Sequence, residues 1–264
     1  MLKQLLRYWH VFQHMMHADF LTLKKQVLDI IINTIVWCST VTVSTAFIMP
    51  AFGVSQGYSL IMVGGVLASA ISFAIYPHAV NLSNDLHNNR KIGFLTTLPI
   101  PWWLVCIKTV WSFLMAQLII SACAIPVVSL FIFSSLNFFA ISWLLFASMF
   151  MLCNIFCACF TLFIATIIPN APLGATVAWM RYVFPLWYLG GFQFTWHGLA
   201  RIAPLFAKIN LLNPYTYMME GMRSAMFPQG EHISSSICAC MLILFSVGFF
   251  TLGSYRIKKQ LDAV

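Results

Sequence analysis

The sequence predicts an all-α integral membrane protein, and three observations predict it. Of 264 residues, 61% are hydrophobic and only 8% are charged. A water-soluble domain carries about a quarter charged residues, so this chain has too few to cover a surface facing water. The apolar stretches are continuous and do not alternate with period two, which argues against a β-barrel. They are also long enough for about 20-residue helical crossings of a bilayer, and about six such crossings fit in the chain.

Residues 1–25 precede the first apolar run and read as an N-terminal amphipathic interfacial helix. Leu2, Leu5, Leu6, Trp9, Phe12, Met16, Phe20 and Leu23 recur at steps of three and four. Lys3, Arg7, His10, His14 and His17 fall on the other side. Such a helix lies in the headgroup plane. The segment lacks the unbroken apolar core and small-residue cleavage site of a secretory signal. No carboxylate or cysteine completes a ligand set with the three histidines, so they read as a solvated face.

The transmembrane region is read over residues 26–256, with 257–264 as a cytoplasmic tail. The first span covers about 27–49 and is closed by Pro50. The second, about 58–80, carries Gly64, Gly65, Ala68 and Ala70, a small-residue surface for close helix contact. The third runs from about Trp102 to Phe133, with Pro126 as a kink. The fourth covers about 138–168 and stops at Pro169-Asn170. The fifth covers about 172–196 and the sixth about 233–253, followed by Arg256, Lys258 and Lys259.

With an even number of spans, both termini share a side. Lys3, Arg7, Lys24, Lys25, Arg90, Lys91, Arg256, Lys258 and Lys259 fall there, against Arg201, Lys208 and Arg223 on the other. The positive-inside rule therefore places both termini in the cytoplasm. The net charge of +8 reflects this distribution and does not argue for nucleic acid.

Two connections are unusual. Between spans two and three, Asn81 to Trp103 reads as a short cytoplasmic helix capped by Ser83 or Asn84. Asp85, His87, Asn88, Arg90 and Lys91 would form its polar side, and Ile92, Phe94, Leu95 and Leu98 its apolar side. An exposed polar face suits docking to another protein, and a plain interfacial loop is the other reading. Between spans five and six, His197 to Glu231 is too apolar for a solvated loop and too interrupted for a span. Arg201 to Leu211 reads as one short helix. Asn213 caps a second, with Pro214 at its first position, Tyr217 within it and Pro228 closing it. Glu220 and Arg223, three apart, can pair. The segment reads as an external re-entrant hairpin, which membranes tolerate only against protein or a cavity; a hairpin lying on the outer surface is the alternative.

Among ionisable residues within the apolar runs, Asp29 and Lys108 are close enough to span ends to snorkel. Arg181 lies deeper and is the candidate for a translocation path or intersubunit contact. The eight cysteines all fall in apolar segments and read as small hydrophobes, so neither a metal site nor a disulfide framework is inferred. The aromatic residues of span five, Trp179 to Trp196, fit an interfacial belt and helix packing, with stacking on sugar faces as a further reading.

Six spans, an N-terminal interfacial helix, a polar helix after span two and the external LLNPYTYMMEGMR (Leu211–Arg223) together resemble ABC-2 type transporter permeases. The cytoplasmic NDLHNNRKIGFLTTLPIPWWLVCIK (Asn84–Lys108) is similar to that family's segment of charged start, Gly-x-Leu step and Pro stop. It departs from the family in having Asp85 and Asn88-Asn89 where Glu and Arg often stand. The resemblance implies a permease subunit of an ATP-driven exporter in the plasma (bacterial inner) membrane, working as a dimer of two permease copies. Such a subunit is not itself an enzyme. Asp85, His87, Arg90, Lys91 and Phe94 would then form the coupling helix, and Asn213, Pro214, Tyr217, Glu220 and Arg223 an external gate. No G-x-x-x-x-G-K-[ST] run occurs in these 264 residues, so ATP and Mg would be held by a separate ATPase subunit and no cofactor by this chain. A secondary carrier or channel would need ionisable residues at the midplane or broken helices in both halves. A membrane enzyme or haem protein would need His78, His87, His197 or His232 to face one another within the bilayer.

Overall fold

The structure is a computed structural model that describes residues 2–86, 101–132, 139–168 and 178–262. Among them the structure is 86% helix with no strands, and five helices are long and apolar enough to cross a membrane. The protein is therefore membrane-embedded.

Helix α1 spans Leu2–Val43 and continues through a π-helical turn at Ser44–Ile48 to Ala51. Pro50 lacks an N–H, and the wider turn just before it accommodates the missing bond. No helix end separates residues 2–25 from the first span. The segment between Leu2 and Val43 contains neither Pro nor Gly, the usual causes of a kink, so one helix of roughly 63 Å carries both the amphipathic stretch and the crossing. His10, His14 and His17 are exposed on it.

Helix α2 (Gln56–Ser72) and helix α3 (Ile75–Asn84) form the second crossing, with a turn at Phe73-Ala74. Ser55 caps α2, its side chain accepting from the Tyr58 N–H. Ser83 and Asn84 lie inside the last turn of α3, and Asp85 is its C-cap. They do not begin a new helix, because the α3 hydrogen-bond ladder runs through them. Helix α4 (Trp102–Ile132) carries Pro126 in its interior, and helix α5 spans Trp143–Ala165. The fifth expected span is interrupted in its described part: a π-helical turn at Ala178–Val183, a short helix α6 (Phe184–Trp187) and a second π-helical turn at Tyr188–Phe192. Gly191 there has φ of 97°, a left-handed conformation that glycine alone adopts readily.

Helices α7 (Trp196–Ile202) and α8 (Pro204–Asn210) replace the single helix expected over Arg201–Leu211. Pro204 forces Ala203 out of the helical region, to φ −138° and ψ 75°. Helix α9 (Pro214–Met226) and helix α10 (Ser235–Asp262) complete the chain.

Long-range contacts gather the elements at two ends. At one end Asp19 of α1 pairs with Lys108 near the start of α4. There the Ser83 hydroxyl donates to the Ile168 carbonyl (3.4 Å), and the Gln260 amide of α10 donates to the Thr166 carbonyl (3.2 Å). Lys108 thus does not snorkel: both charges are mostly buried, and each is the other's partner. At the other end the Ser142 N–H, just before α5, donates to the Ala225 carbonyl (3.1 Å), and Ser224 of α9 bonds Ser235 of α10 (2.9 Å). Inside the bundle Gln117 donates to Thr161 (3.3 Å) and Ser121 to Asn154 (3.1 Å), joining α4 to α5.

Candidate functional site: the buried Glu220–Arg223 lock

The site is built on α9. Asn213 starts that helix from extended backbone, and its Oδ1 accepts the Tyr215 N–H at 3.0 Å. Its Nδ2 donates to the Leu186 carbonyl at 2.7 Å, so one side chain both caps α9 and pins the end of α6. Pro214 occupies the first helical position, where its missing N–H costs nothing. Tyr217 turns back and donates to the Leu211 carbonyl at 2.7 Å.

All thirteen residues of α9 are buried. The helix packs on α2, α5, α10 and the Tyr188–Phe192 turn. Its approach to α2 depends on glycine: a Cβ on Gly64 would stand 2.8 Å from the Arg223 Cγ, and one on Gly65 2.7 Å from Nη2. The small-residue surface of the second span is the seat of this arginine.

Arg223 is fully buried. Nε donates to the Ile61 carbonyl (3.2 Å), and Nη1 to the Phe194 carbonyl (2.8 Å) and Glu220 Oε1 (3.2 Å). Nη2 donates to the Gly191 and Phe192 carbonyls. These five acceptors match the N–H groups of a guanidinium. The physical logic follows from the broken segment. Where the chain leaves helical geometry at Gly191, its carbonyls lose their partners, and a buried orphan carbonyl is costly. Arg223 supplies the missing donors.

Glu220, also buried, balances the charge. Its Oε1 accepts the Trp196 N–H (3.0 Å) at the first turn of α7, and its Oε2 accepts the Ile233 N–H (3.4 Å) ahead of α10. The His232 Nδ1 lies 3.8 Å from Oε2 while its Nε2 contacts the Phe227 carbonyl (3.0 Å). Burial alone would raise the Glu220 carboxyl. The His232 ring, the Arg223 guanidinium and the Trp196 N–H outweigh it and hold the group below the usual carboxylate range. The pair therefore ties together α2, the Gly191 break, α7 and the entry to α10.

No protein-family profile and no curated protein matches the chain.

Of the other expected site residues, only Asp85 and Arg181 are among the described residues, and neither is bonded to the lock. Asp85 ends α3; His87, Arg90, Lys91 and Phe94 lie outside the described residues. Arg181 sits on the Ala178–Val183 turn with its side chain exposed. Trp179 and Trp187 are part of an aromatic cluster with Trp37 of α1: Trp37 and Trp187 are 5.9 Å apart, and Trp187 and Phe192 are 4.2 Å apart. This cluster packs the broken segment onto the first span. Sequence reasoning paired Glu220 with Arg223 but missed Asp19, the Trp196 N–H and the Gly191–Phe194 carbonyls. The positive-φ glycine in a Gly190-Gly191 pair within a nominal span was the available signal for the last of these.

Proposed function

We propose that this chain is the transmembrane permease subunit of an ATP-driven exporter of the ABC-2 type. The observation that carries the reading is α9: a short, wholly buried helix that begins at Asn213-Pro214, closes with Glu220 and Arg223, and directly precedes the final span. Its order along the chain resembles that of the family's external gate. The two ends of the bundle support the reading as well. The chain leaves α5 at the end where Ser83, Thr166 and Gln260 meet, and it reaches α7 and α10 at the other. In this reading the described segment Ala178–Phe192 belongs to a sixth crossing, with both termini cytoplasmic, which accounts for that change of end.

In this reading α9 and its lock guard the outer exit, Arg181 faces the translocation path or a second permease copy, and the segment from Asp85 to Phe94 docks in an ATPase subunit that holds ATP and Mg. The Asp19–Lys108 pair braces α1 against the helix that follows this docking segment. ATP binding moves the docking segment, and the two permeases repack at their interface to alternate access. The plasma membrane, in a bacterium the inner membrane, is the location.

The test is reconstitution with and without a Walker-motif ATPase encoded beside the permease. Co-purification of the two, lost on charge reversal at Asp85 or Arg90 while membrane insertion persists, is the expected result. Transport by the purified chain alone under an ion gradient overturns the reading in favour of a secondary carrier.

A further inference from the structure

We infer that the α7–α8 hairpin is a lipid-surface anchor, seated at the headgroup boundary of the phospholipid bilayer and wired to Glu220 through Trp196. This inference needs the membrane placement of the helices but not the ATPase.

The hairpin differs from its neighbour α9 in where its apolar residues point. Helix α8 buries Ala207 and Asn210. At about 100° per residue, Leu205 and Ile209 project from the opposite side, and both are exposed. Ile202 is 87% exposed, Leu205 74% and Leu212 78%, with Phe206 and Ile209 between them. These five side chains form one outward apolar ridge, and Lys208 stands exposed on its flank. A ridge facing water would be a liability, and a contiguous exposed apolar patch marks a membrane or protein contact.

Two observations favour lipid over a second copy of the chain. A specific protein interface of standard size takes about 20–30 residues per side, and the ridge has five apolar side chains on two seven-residue helices. A lysine on the rim of an apolar helix face is the arrangement by which interfacial helices meet phosphate headgroups while the apolar face enters the acyl boundary. Arg201 adds a second cation near the ridge, held by Glu231.

The anchor is mechanically connected. The Trp196 indole Nε1 donates to the Ala207 carbonyl at 2.9 Å, fastening α7 to α8. The backbone N–H of the same residue donates to Glu220 Oε1. Any displacement of the hairpin by the lipid surface is thus delivered to the carboxylate that holds Arg223.

Spin labels test this on the full chain in vesicles of mixed phosphatidylcholine and phosphatidylglycerol. Cys240, the exposed native thiol, and Cys123, the half-buried one, are changed to Ser, and labels are placed through L205C, I209C, K208C and Q229C. Labels at 205 and 209 are expected to favour oxygen over a water-soluble nickel chelate several-fold more than the label at 229, with 208 between them. Equal nickel access at 205, 209 and 229 overturns the inference. So does a dipolar distance between labels on two copies too short to leave lipid between them, which would assign the ridge to a second copy. A single monodisperse peak in detergent for each variant excludes misfolding as the cause of either result.

Discussion

Arg223 joins parts of the chain that no local rule connects. Its guanidinium fills every donor, so its removal has more than one consequence. In Arg223→Met, Glu220 remains as a buried charge without its counter-ion, and the Gly191, Phe192 and Phe194 carbonyls lose their donor. Breaking one side of a buried pair costs about 3–5 kcal/mol, and thermal unfolding in detergent should show a loss of that size. Arg223→Lys keeps the charge but presents a compact ammonium with fewer donors in place of the planar fork. It should therefore be destabilised as well, and a variant as stable as the wild type would show that charge alone suffices. Gly65→Ala tests the seat from the other side: its methyl meets Nη2 at 2.7 Å, and overpacking costs about 1–3 kcal/mol. The carboxylate gives a pH dependence of definite sign. Because Glu220 is held below its ordinary value, its contribution is present above the unfolded carboxylate pKa and is lost as pH falls through the lower folded one. Melting temperature should drop on acidification in that window in the wild type, and drop less in Glu220→Gln.

Among the elements, α9 shows what a sequence can disclose. Its start was legible from Asn213-Pro214 alone, because capping is a matter of two or three adjacent residues. Its internal ion pair followed from the spacing of Glu220 and Arg223. Its burial did not follow, because that depends on Gly64 and Gly65 about 160 residues earlier, a pairing no local pattern records. The long helices were legible as unbroken apolar runs, which is why four of the expected spans coincide with α1, α2–α3, α4 and α5, and a fifth with α10. The break in the remaining run was not, since hydrophobicity averages over the Gly190-Gly191 pair that permits it. The division of α7 from α8 was available from Pro204 and its effect on Ala203. The missed continuity of α1 has the opposite origin: Lys24 and Lys25 mark a change of environment, and good helix formers can cross such a boundary without a break. Asn213→Ala puts the cap to measurement. Loss of a helix cap costs about 0.5–2 kcal/mol, and here the Leu186 carbonyl also loses its donor, so destabilisation should lie at or above the upper figure. A loss well below it would mean that Pro214 and burial hold the helix without the side chain.

At the scale of the whole molecule, the arrangement of the ends bears on the proposed number of bilayer crossings. Helix α1 is far longer than the roughly 30 Å hydrocarbon layer, and so is the roughly 42 Å α10, so each has a portion outside it. Asp19 of α1, before the apolar stretch that starts at Val27, pairs with Lys108; Gln260, near the C-terminal end of α10, reaches Thr166. The Gln117–Thr161 and Ser121–Asn154 bonds set α4 antiparallel to α5, so the start of α4 and the end of α5 lie at one end of the bundle. In the proposed topology both terminal helices project from the same face, which an even number of crossings would give. An impermeant thiol reagent can read this directly, in a background freed of Cys240 and Cys123, from single cysteines at the exposed positions His14, Ser55, Gln229 and Lys258. His14→Cys and Lys258→Cys should label from one face of sealed vesicles, and Ser55→Cys and Gln229→Cys from the other. With only five crossings the two termini would label from opposite faces, and the broken segment would have to be returned to the side from which it came.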